Sequence, residues 1–137
     1  MTVMLSIRQL RARYAALCAK LGAVRSLRTS AQHDGSAHVE VRADSYHYVV
    51  TERGSEFERR RTTDPDELLF WLMSDVTFSL ASEYELEHRV FGRDFRRLLF
   101  QKQIDLMGQL NADWSERKKQ EIERVLAAYP YDDVACG

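Results

Sequence analysis

Apolar residues recur at helical spacing near the N-terminus. Ser6 precedes this stretch and Gln9 follows three residues later, a pairing typical of a capping box. Gly22 stands where a helix commonly ends with a residue of positive φ. The pattern therefore predicts a first helix from Ser6 to Gly22, with an inward stripe of Leu10, Tyr14, Leu17 and Leu21.

Residues 24–63 change to an alternation of apolar and polar positions, which is the period of a half-buried strand. A two-residue turn at Asp44-Ser45 would place Val39 opposite Val50 and sort the apolar side chains of both strands onto one face. That agreement between turn and pattern predicts an antiparallel hairpin.

Two further features extend the predicted sheet. A second turn at Arg53-Gly54 would place Phe57 opposite Val50 and continue the same apolar face. Val24–Thr29 is expected to add another strand of undetermined register. The sheet should therefore contain three or four antiparallel strands.

Helical spacing returns over residues 64–130 and predicts three helices. Asp64-Pro65 is a strong start signal, with a capping carboxylate followed by proline at the first helical position. A second helix is expected to begin near Asp94, and Asp113 is expected to cap a third that Pro130 ends. The predicted inward stripes are Leu68, Leu72, Val76, Leu80 and Tyr84, then Phe95, Leu98, Leu99, Leu106 and Leu110, then Trp114, Lys118, Ile122, Val125 and Tyr129.

The order of elements predicts an α+β fold, with an N-terminal helix, a small antiparallel sheet of 3–4 strands and three C-terminal helices packed on the sheet. No internal repeat or Pro/Gly-rich linker is visible, so a single domain over residues 1–137 is expected. The longest nearly apolar run, Leu68–Met73, is too short to cross a bilayer. The N-terminus lacks the uninterrupted apolar block of a signal peptide, so a cytoplasmic location without membrane contact is expected.

Charge is distributed unevenly along the chain, although the formal net charge is only −1. Residues 1–63 carry 11 Lys/Arg against 6 Asp/Glu, whereas residues 64–137 carry 9 against 15, so the two parts have charges of +5 and −6. This split argues against a uniformly basic nucleic-acid binder. It permits a cationic partner on the second part.

No motif supplies a nucleophile with its base, a phosphate-binding glycine loop or a set of metal ligands. In the predicted register His38 and His47 are interpreted as pointing to opposite faces, so they could not share a metal or a proton. Cys18 and Cys136 are read as one core thiol and one tail thiol, too few for a four-cysteine zinc site. We therefore expect no catalytic residue, cofactor or metal.

The run Arg59-Arg60-Arg61 is a weak signal for nucleic acid. In a strand Arg60 points away from its two neighbours, which divides the cluster between two faces. Pairing with nearby carboxylates is the favoured interpretation, the candidates being Glu52, Glu56 and Glu58.

The densest acidic run lies in the first predicted C-terminal helix. Glu83 and Glu87 share a helix face, where like charges repel by a few tenths of a kcal/mol. A partner's cations would relieve that repulsion, and a solvated face with local pairs to residues such as Arg89 is the plainer alternative. Tyr46, beside a turn, is expected to be more exposed than Tyr48. The predicted partner-binding residues are Asp75, Glu83, Glu85, Glu87 and Tyr46.

Several motifs in this order resemble the immunity protein 63 family of bacterial polymorphic-toxin and contact-dependent growth inhibition systems. They are YHYVVTERG (Tyr46–Gly54), DELLFWLMSDVTFSLASEYE (Asp66–Glu85), GRDFRRLLFQKQ (Gly92–Gln103) and a closing YPYDD (Tyr129–Asp133) preceded by Trp114 and Lys118. The resemblance implies a cytoplasmic antidote, encoded beside its toxin, that binds one cognate toxin domain without catalysis. It also implies that Glu52-Arg53-Gly54 and Asp94-Phe95-Arg96-Arg97 are scaffold, a tight turn and buried ion pairs between helices.

Three functions remain open from the sequence. The first is an immunity protein that blocks the active site of a toxin, for which a nuclease is one candidate, or the toxin's access to substrate. The alternative is a small helical adaptor or regulator that pairs with itself or another chain through the helix of Trp71. The third is a nuclease or hydrolase that uses His33, His38 or His88 with nearby acidic residues.

Overall fold

The computed structural model describes residues 4–134 and has the expected mixed α+β order. Two compact units, Met1–Met73 and Ser74–Gly137, divide the chain within α2. The elements in chain order are α1 (Ile7–Lys20), β1 (Asp34–Val41), β2 (Tyr46–Glu52), β3 (Ser55–Thr62), α2 (Pro65–Glu87), α3 (Arg96–Leu110) and α4 (Ala112–Ala128).

Helix α1 begins as predicted. The Ser6 hydroxyl accepts a hydrogen bond from the Gln9 backbone N at 3.2 Å, and the Gln9 side chain accepts one from the Ser6 backbone N at 2.9 Å. Gly22 has φ +74° just beyond the helix end, which confirms its predicted place. Cys18 is buried in the core, as expected, whereas Cys136 lies outside the described residues.

The sheet has the order β1-β2-β3 and is antiparallel throughout. Val39 lies opposite Tyr48 and not Val50, so the predicted register of the first hairpin is wrong by two residues. The cause is the turn, which centres on Ala43-Asp44, because the Arg42 N donates to the Ser45 O at 2.8 Å. A shift of two residues leaves the apolar side chains of both strands on the predicted face.

The second turn lies at Arg53-Gly54 as predicted, with φ of 51° and 82°. Phe57 does not pair with Val50, because Val50 lies opposite Glu58 and the register shifts between Val50 and Thr51. Phe57 is therefore the extra residue of a β-bulge, and 67% of its surface is exposed. It does not extend the apolar face.

Val24–Thr29 is not a strand, so the prediction of a fourth strand is wrong. This segment contributes one backbone bond to the sheet, in which the Arg28 O accepts from the Val39 N at 2.9 Å. Val24 is fully exposed and Leu27 is buried. A single contact of this kind anchors the segment without forming a ladder.

Aromatic residues form the core over one face of the sheet. The rings of Tyr48 and Trp71 meet edge to face with centroids 6.0 Å apart, and the Arg60 guanidinium lies over both. Tyr46 shares that face and is 0% exposed, with its hydroxyl bonded to the Leu5 backbone. The prediction that Tyr46 is exposed is wrong, because residues two apart on a strand are covered together.

Within Ser74–Gly137, buried polar groups join neighbouring helices. The Gln103 side chain donates to the Ser74 O at 3.0 Å and to the Thr77 hydroxyl at 3.2 Å, which links α2 with α3. The Ser115 hydroxyl donates to the Ile104 O at 3.0 Å and links α3 with α4. These bonds satisfy polar atoms that would otherwise be costly inside the unit.

Two predictions for the last helices are wrong. Asn111, and not Asp113, caps α4, since its side-chain oxygen accepts from the backbone N of Asp113 at 2.8 Å and of Trp114 at 3.2 Å. Asn111 fills the cap one residue before the helix, where Asp113 already has helical backbone. Three residues assigned to inward stripes are exposed, namely Phe95, Val125 and Tyr129.

Candidate docking surface

The second half of α2 presents acidic and apolar side chains to solvent. Phe78 and Leu86 are 50% and 66% exposed. Helical spacing places both on the same side of α2 as three exposed carboxylates. These five residues, Asp75, Phe78, Glu83, Leu86 and Glu87, form what we call the α2 outer face.

Glu85 does not belong to this face. It follows the buried Ala81 by one helical turn and is itself 3% exposed. Its carboxylate accepts from the Arg89 Nε at 3.0 Å and Nη2 at 2.7 Å. The bond to Arg89 lowers the pKa of Glu85 below its usual value. Because its charge is paired with that of Arg89, Glu85 contributes little to the electrostatic attraction of a partner.

Glu83 and Glu87 remain exposed as predicted. Within residues 4–134 neither forms an ion pair, so their repulsion is not relieved by the described part of the chain. Residues 74–90 contain four carboxylates and one arginine, a net charge of −3. Glu83 and Glu87 therefore contribute a negative field on the outer face.

The segment between α2 and α3 begins with a side-chain cap. His88 donates from Nδ1 to the Tyr84 O at 2.9 Å and stacks on the Tyr84 ring at 4.1 Å. Lys102 lies over the Tyr84 ring, with its Nζ 4.3 Å from the ring centroid. These contacts satisfy a carbonyl at the end of α2 and hold His88 in a structural position.

Beyond His88 the chain exposes three large apolar residues. Phe91 is 89% exposed, Val90 is 54% exposed and Phe95 is 45% exposed. Val90, Phe95 and Leu98 also line an open cleft of about 350 Å³. Charged groups complete its rim, namely Glu85, Arg93, Asp94 and Arg97.

A dense set of ion pairs fixes this segment. The Asp94 carboxylate is 3% exposed and accepts from the Arg96 Nη2 at 2.8 Å and from the Asp132 N at 3.0 Å. Asp133 in turn accepts from the Asp94 N at 2.7 Å and the Arg97 Nε at 3.0 Å. The bond from Arg96 keeps the pKa of Asp94 far below its usual range. The scaffold role expected for this motif is thus present, but its partners lie in the C-terminal segment and not on another helix.

Comparison with known families identifies the chain. Residues 43–124 match the family Immunity protein 63, which is more than half of the chain. The chain belongs to this family. The matched region includes the whole α2 outer face and the cleft.

The other comparisons add no relative. Neither the curated proteins nor the solved structures include a match to this chain. The immunity protein 63 match ends before Tyr129–Asp133, so the closing YPYDD motif is not part of it.

A second polar cluster lies on the face of the sheet opposite Tyr48. Glu40 accepts from His38 at 3.0 Å, from Arg42 at 2.6 Å and from Arg59 at 3.3 Å. Arg59 also donates to the His47 Nδ1 at 2.9 Å. Since a guanidinium only donates, this nitrogen of His47 carries no proton in the cluster. The bond from His38, with those from Arg42 and Arg59, lowers the pKa of Glu40 to about 2.

The prediction that His38 and His47 point to opposite faces is wrong. Glu40 lies opposite His47 in the register, and His38 is two residues from Glu40, so all three share a face. They are connected through Glu40 and Arg59, and His33 lies apart in the loop before β1. Among residues 4–134 no group of three or more His, Cys, Asp or Glu is arranged to hold a metal.

The arginine run divides between the two faces as predicted. Arg59 joins the Glu40 cluster and also pairs with Glu56 at 2.7 Å, while Arg60 covers the aromatic face and pairs with Glu58 at 2.7 Å. Arg61 lies 3.5 Å from Asp44.

None of the helices in the described part of this family member has the length and apolarity to cross a membrane.

The apolar part of the docking surface was not predicted from the sequence. Phe78 and Leu86 fall outside the predicted inward stripe of α2. Their position outside this stripe was the signal in the sequence for their exposure. Val90 and Phe91 directly precede the helix-breaking Gly92. Nothing in the sequence alone distinguishes their exposure from burial under a neighbouring element.

Proposed function

We propose that this chain is a cytoplasmic immunity protein that binds a cognate toxin domain and neutralises it by blocking its active site or its access to substrate. Family membership over residues 43–124 carries this proposal. The exposed carboxylates of α2 lie inside that region and support recognition of a cationic partner.

The acidic residues have unequal parts in this proposal. Asp75, Glu83 and Glu87 are exposed and would face a basic toxin surface, which speeds association. If the toxin is a nuclease, its active site must be cationic to hold phosphates, and carboxylates would occupy the same positions. Tyr46 is buried and would act only by supporting the fold, whereas Glu85 is buried, paired with Arg89, and also lines the cleft.

The first test is protection and complex formation. Co-expression with the toxin domain encoded beside this chain should restore growth, and the purified proteins should form a stable complex. Loss of both results would reject the proposed function.

The role of the carboxylates is tested by charge reversal. Glu83→Lys with Glu87→Lys should slow association at low salt by about tenfold or more, because steering depends on the local field. The control is Glu116→Lys with Glu123→Lys, which changes net charge equally at exposed positions of α4. Equal association rates for the two double variants, measured by stopped flow, would exclude a specific role for Glu83 and Glu87.

The adaptor alternative gains no support from a specific contact. It required the Trp71 helix to be available to a partner, but Trp71 already packs against Tyr48 and Arg60 within its own unit.

A further inference from the structure

Large apolar side chains concentrate between the end of α2 and the start of α3. Leu86, Val90, Phe91 and Phe95 lie within ten positions, and each exposes between 45% and 89% of its surface. Single exposed apolar residues are ordinary, whereas several together mark a contact surface. We call these four residues the apolar tip.

The cleft beside the tip has room for a side chain from another molecule. Its volume of about 350 Å³ is in the range of small binding sites, and Val90, Phe95 and Leu98 supply apolar walls. Interface hot spots typically consist of an aromatic or aliphatic anchor in a pocket of this kind.

Ion pairs and hydrogen bonds hold the backbone beside the tip at the start of α3. Asp94 and Asp133 connect the backbone between the helices with Arg96 and Arg97, and the Tyr131 ring lies 4.3 Å from the Arg97 guanidinium. Binding to a preorganised surface loses less conformational entropy than binding to a mobile one.

The charge beside the tip selects the kind of partner. Residues 91–137 contain equal numbers of acidic and basic residues, so the net charge of −3 in residues 74–137 comes from residues 74–90. A second copy docked on the same face would bring Glu83 and Glu87 near their own equivalents, because a two-fold interface pairs a patch with itself. A nucleic acid is negatively charged, as this face is, and would be repelled. A basic protein surface has the complementary charge.

We propose that the cognate toxin docks on the apolar tip and the α2 outer face through a basic surface that inserts an apolar or aromatic side chain into the cleft. This inference rests on the proposed function and adds the interface and the chemistry of the partner. The apolar tip supplies most of the affinity, and the carboxylates supply the association rate.

The test compares exposed aromatic residues in the two units. Phe91→Ala and Leu86→Ala should each raise the dissociation constant for the inactivated toxin domain at least about 30-fold, mainly through faster dissociation. Phe57→Ala is the matched control, since Phe57 is a similarly exposed phenylalanine on the sheet. It should change the dissociation constant less than about threefold. Circular dichroism melting curves should show that all three variants fold.

The outcomes separate the two proposals. Wild-type protein that neither protects nor binds would reject the function and this inference together. Wild-type protein that binds while Phe91→Ala and Leu86→Ala bind equally well, or while Phe57→Ala is the weakened variant, would overturn only the interface. A wild-type dimer abolished by Phe91→Ala, with toxin binding unchanged, would identify a second copy as the occupant and also overturn it. Since Phe91 is 89% exposed, a Phe91→Glu variant should also fold. Its dissociation constant for the toxin domain is a further measurement of the same interface, and a value equal to that of the wild type would overturn the interface.

Discussion

At Asp94 a single carboxylate connects three parts of the second unit. It bonds the first residues of α3 through Arg96 and the C-terminal segment through the Asp132 N. Arg96 extends the connection to the Tyr129 O and the Pro130 O. A buried charge of this kind stabilises only while its partners are present, because an unpaired buried ion is strongly unfavourable.

Replacing this carboxylate should therefore be costly. Asp94→Ala is expected to lower the free energy of unfolding by about 3 kcal/mol, because it leaves the mostly buried Arg96 without its counter-ion. Asp105→Ala is the control, since Asp105 is an exposed carboxylate bonded to Gln101 on the same helix, and should cost less than about 0.5 kcal/mol. Urea unfolding measures both, and similar midpoints would contradict a scaffold role for Asp94.

Tyr46 and Glu85 show where reasoning from single residues fails. Each is polar enough to lie at the surface, and each neighbours a turn or an acidic run. Tyr46 is buried because the face that it shares with Tyr48 is covered, and Glu85 is buried because its helical position follows Ala81. Which face is covered depends on elements distant in sequence.

The Glu40 cluster joins all three strands. Glu40 lies on β1, His47 on β2 and Arg59 on β3, and hydrogen bonds connect them across the sheet. Cross-strand pairs of opposite charge stabilise a sheet by several tenths of a kcal/mol each. The cluster thus connects the three strands on the face opposite Tyr48.

This cluster should make stability depend on pH. The pKa of Glu40 falls from 4.5 to about 2 on folding, so its contribution is complete above pH 4.5 and is lost as the pH falls toward 2. Because Glu40 is partly exposed, we expect about 1 kcal/mol at neutral pH. Glu40→Gln should remove that amount and flatten the pH dependence in this window, relative to a Glu116→Gln control for net charge. Parallel stability curves from thermal melting between pH 2 and 7 would contradict the assignment.

The charge asymmetry of the sequence is also present when the chain is divided into its two structural units. Residues 1–73 carry 11 basic and 9 acidic residues, and residues 74–137 carry 9 and 12, so the charges are +2 and −3. The excess of negative charge accompanies the exposed apolar residues of the second unit. A field of this kind affects encounter with a partner more than it affects folding.

Toxin association should accordingly depend on salt. Raising the ionic strength from about 0.01 M to about 0.15 M shortens the screening length from about 30 Å to about 8 Å. The association rate constant should fall by about tenfold, while the dissociation rate constant, which reflects the apolar tip, should change little. Surface plasmon resonance measures both constants. A salt effect confined to dissociation would argue against steering by the α2 outer face.

Local chemistry in the sequence determined where most elements begin and turn. Three such features are the Ser6–Gln9 capping box, the Asp64-Pro65 helix start and the Arg53-Gly54 turn. Each depends on contacts within a few residues, so the identities of neighbouring residues are enough to predict it. The α+β order and the family followed from the same local patterns. The two-residue shift in the first hairpin follows from its local turn, which centres on Ala43-Asp44 and not on Asp44-Ser45. Tertiary structure decided the loss of a strand at Val24–Thr29 and the exposure of the apolar tip. These depend on which surfaces meet across long sequence separations, and periodicity specifies a face without specifying what covers it.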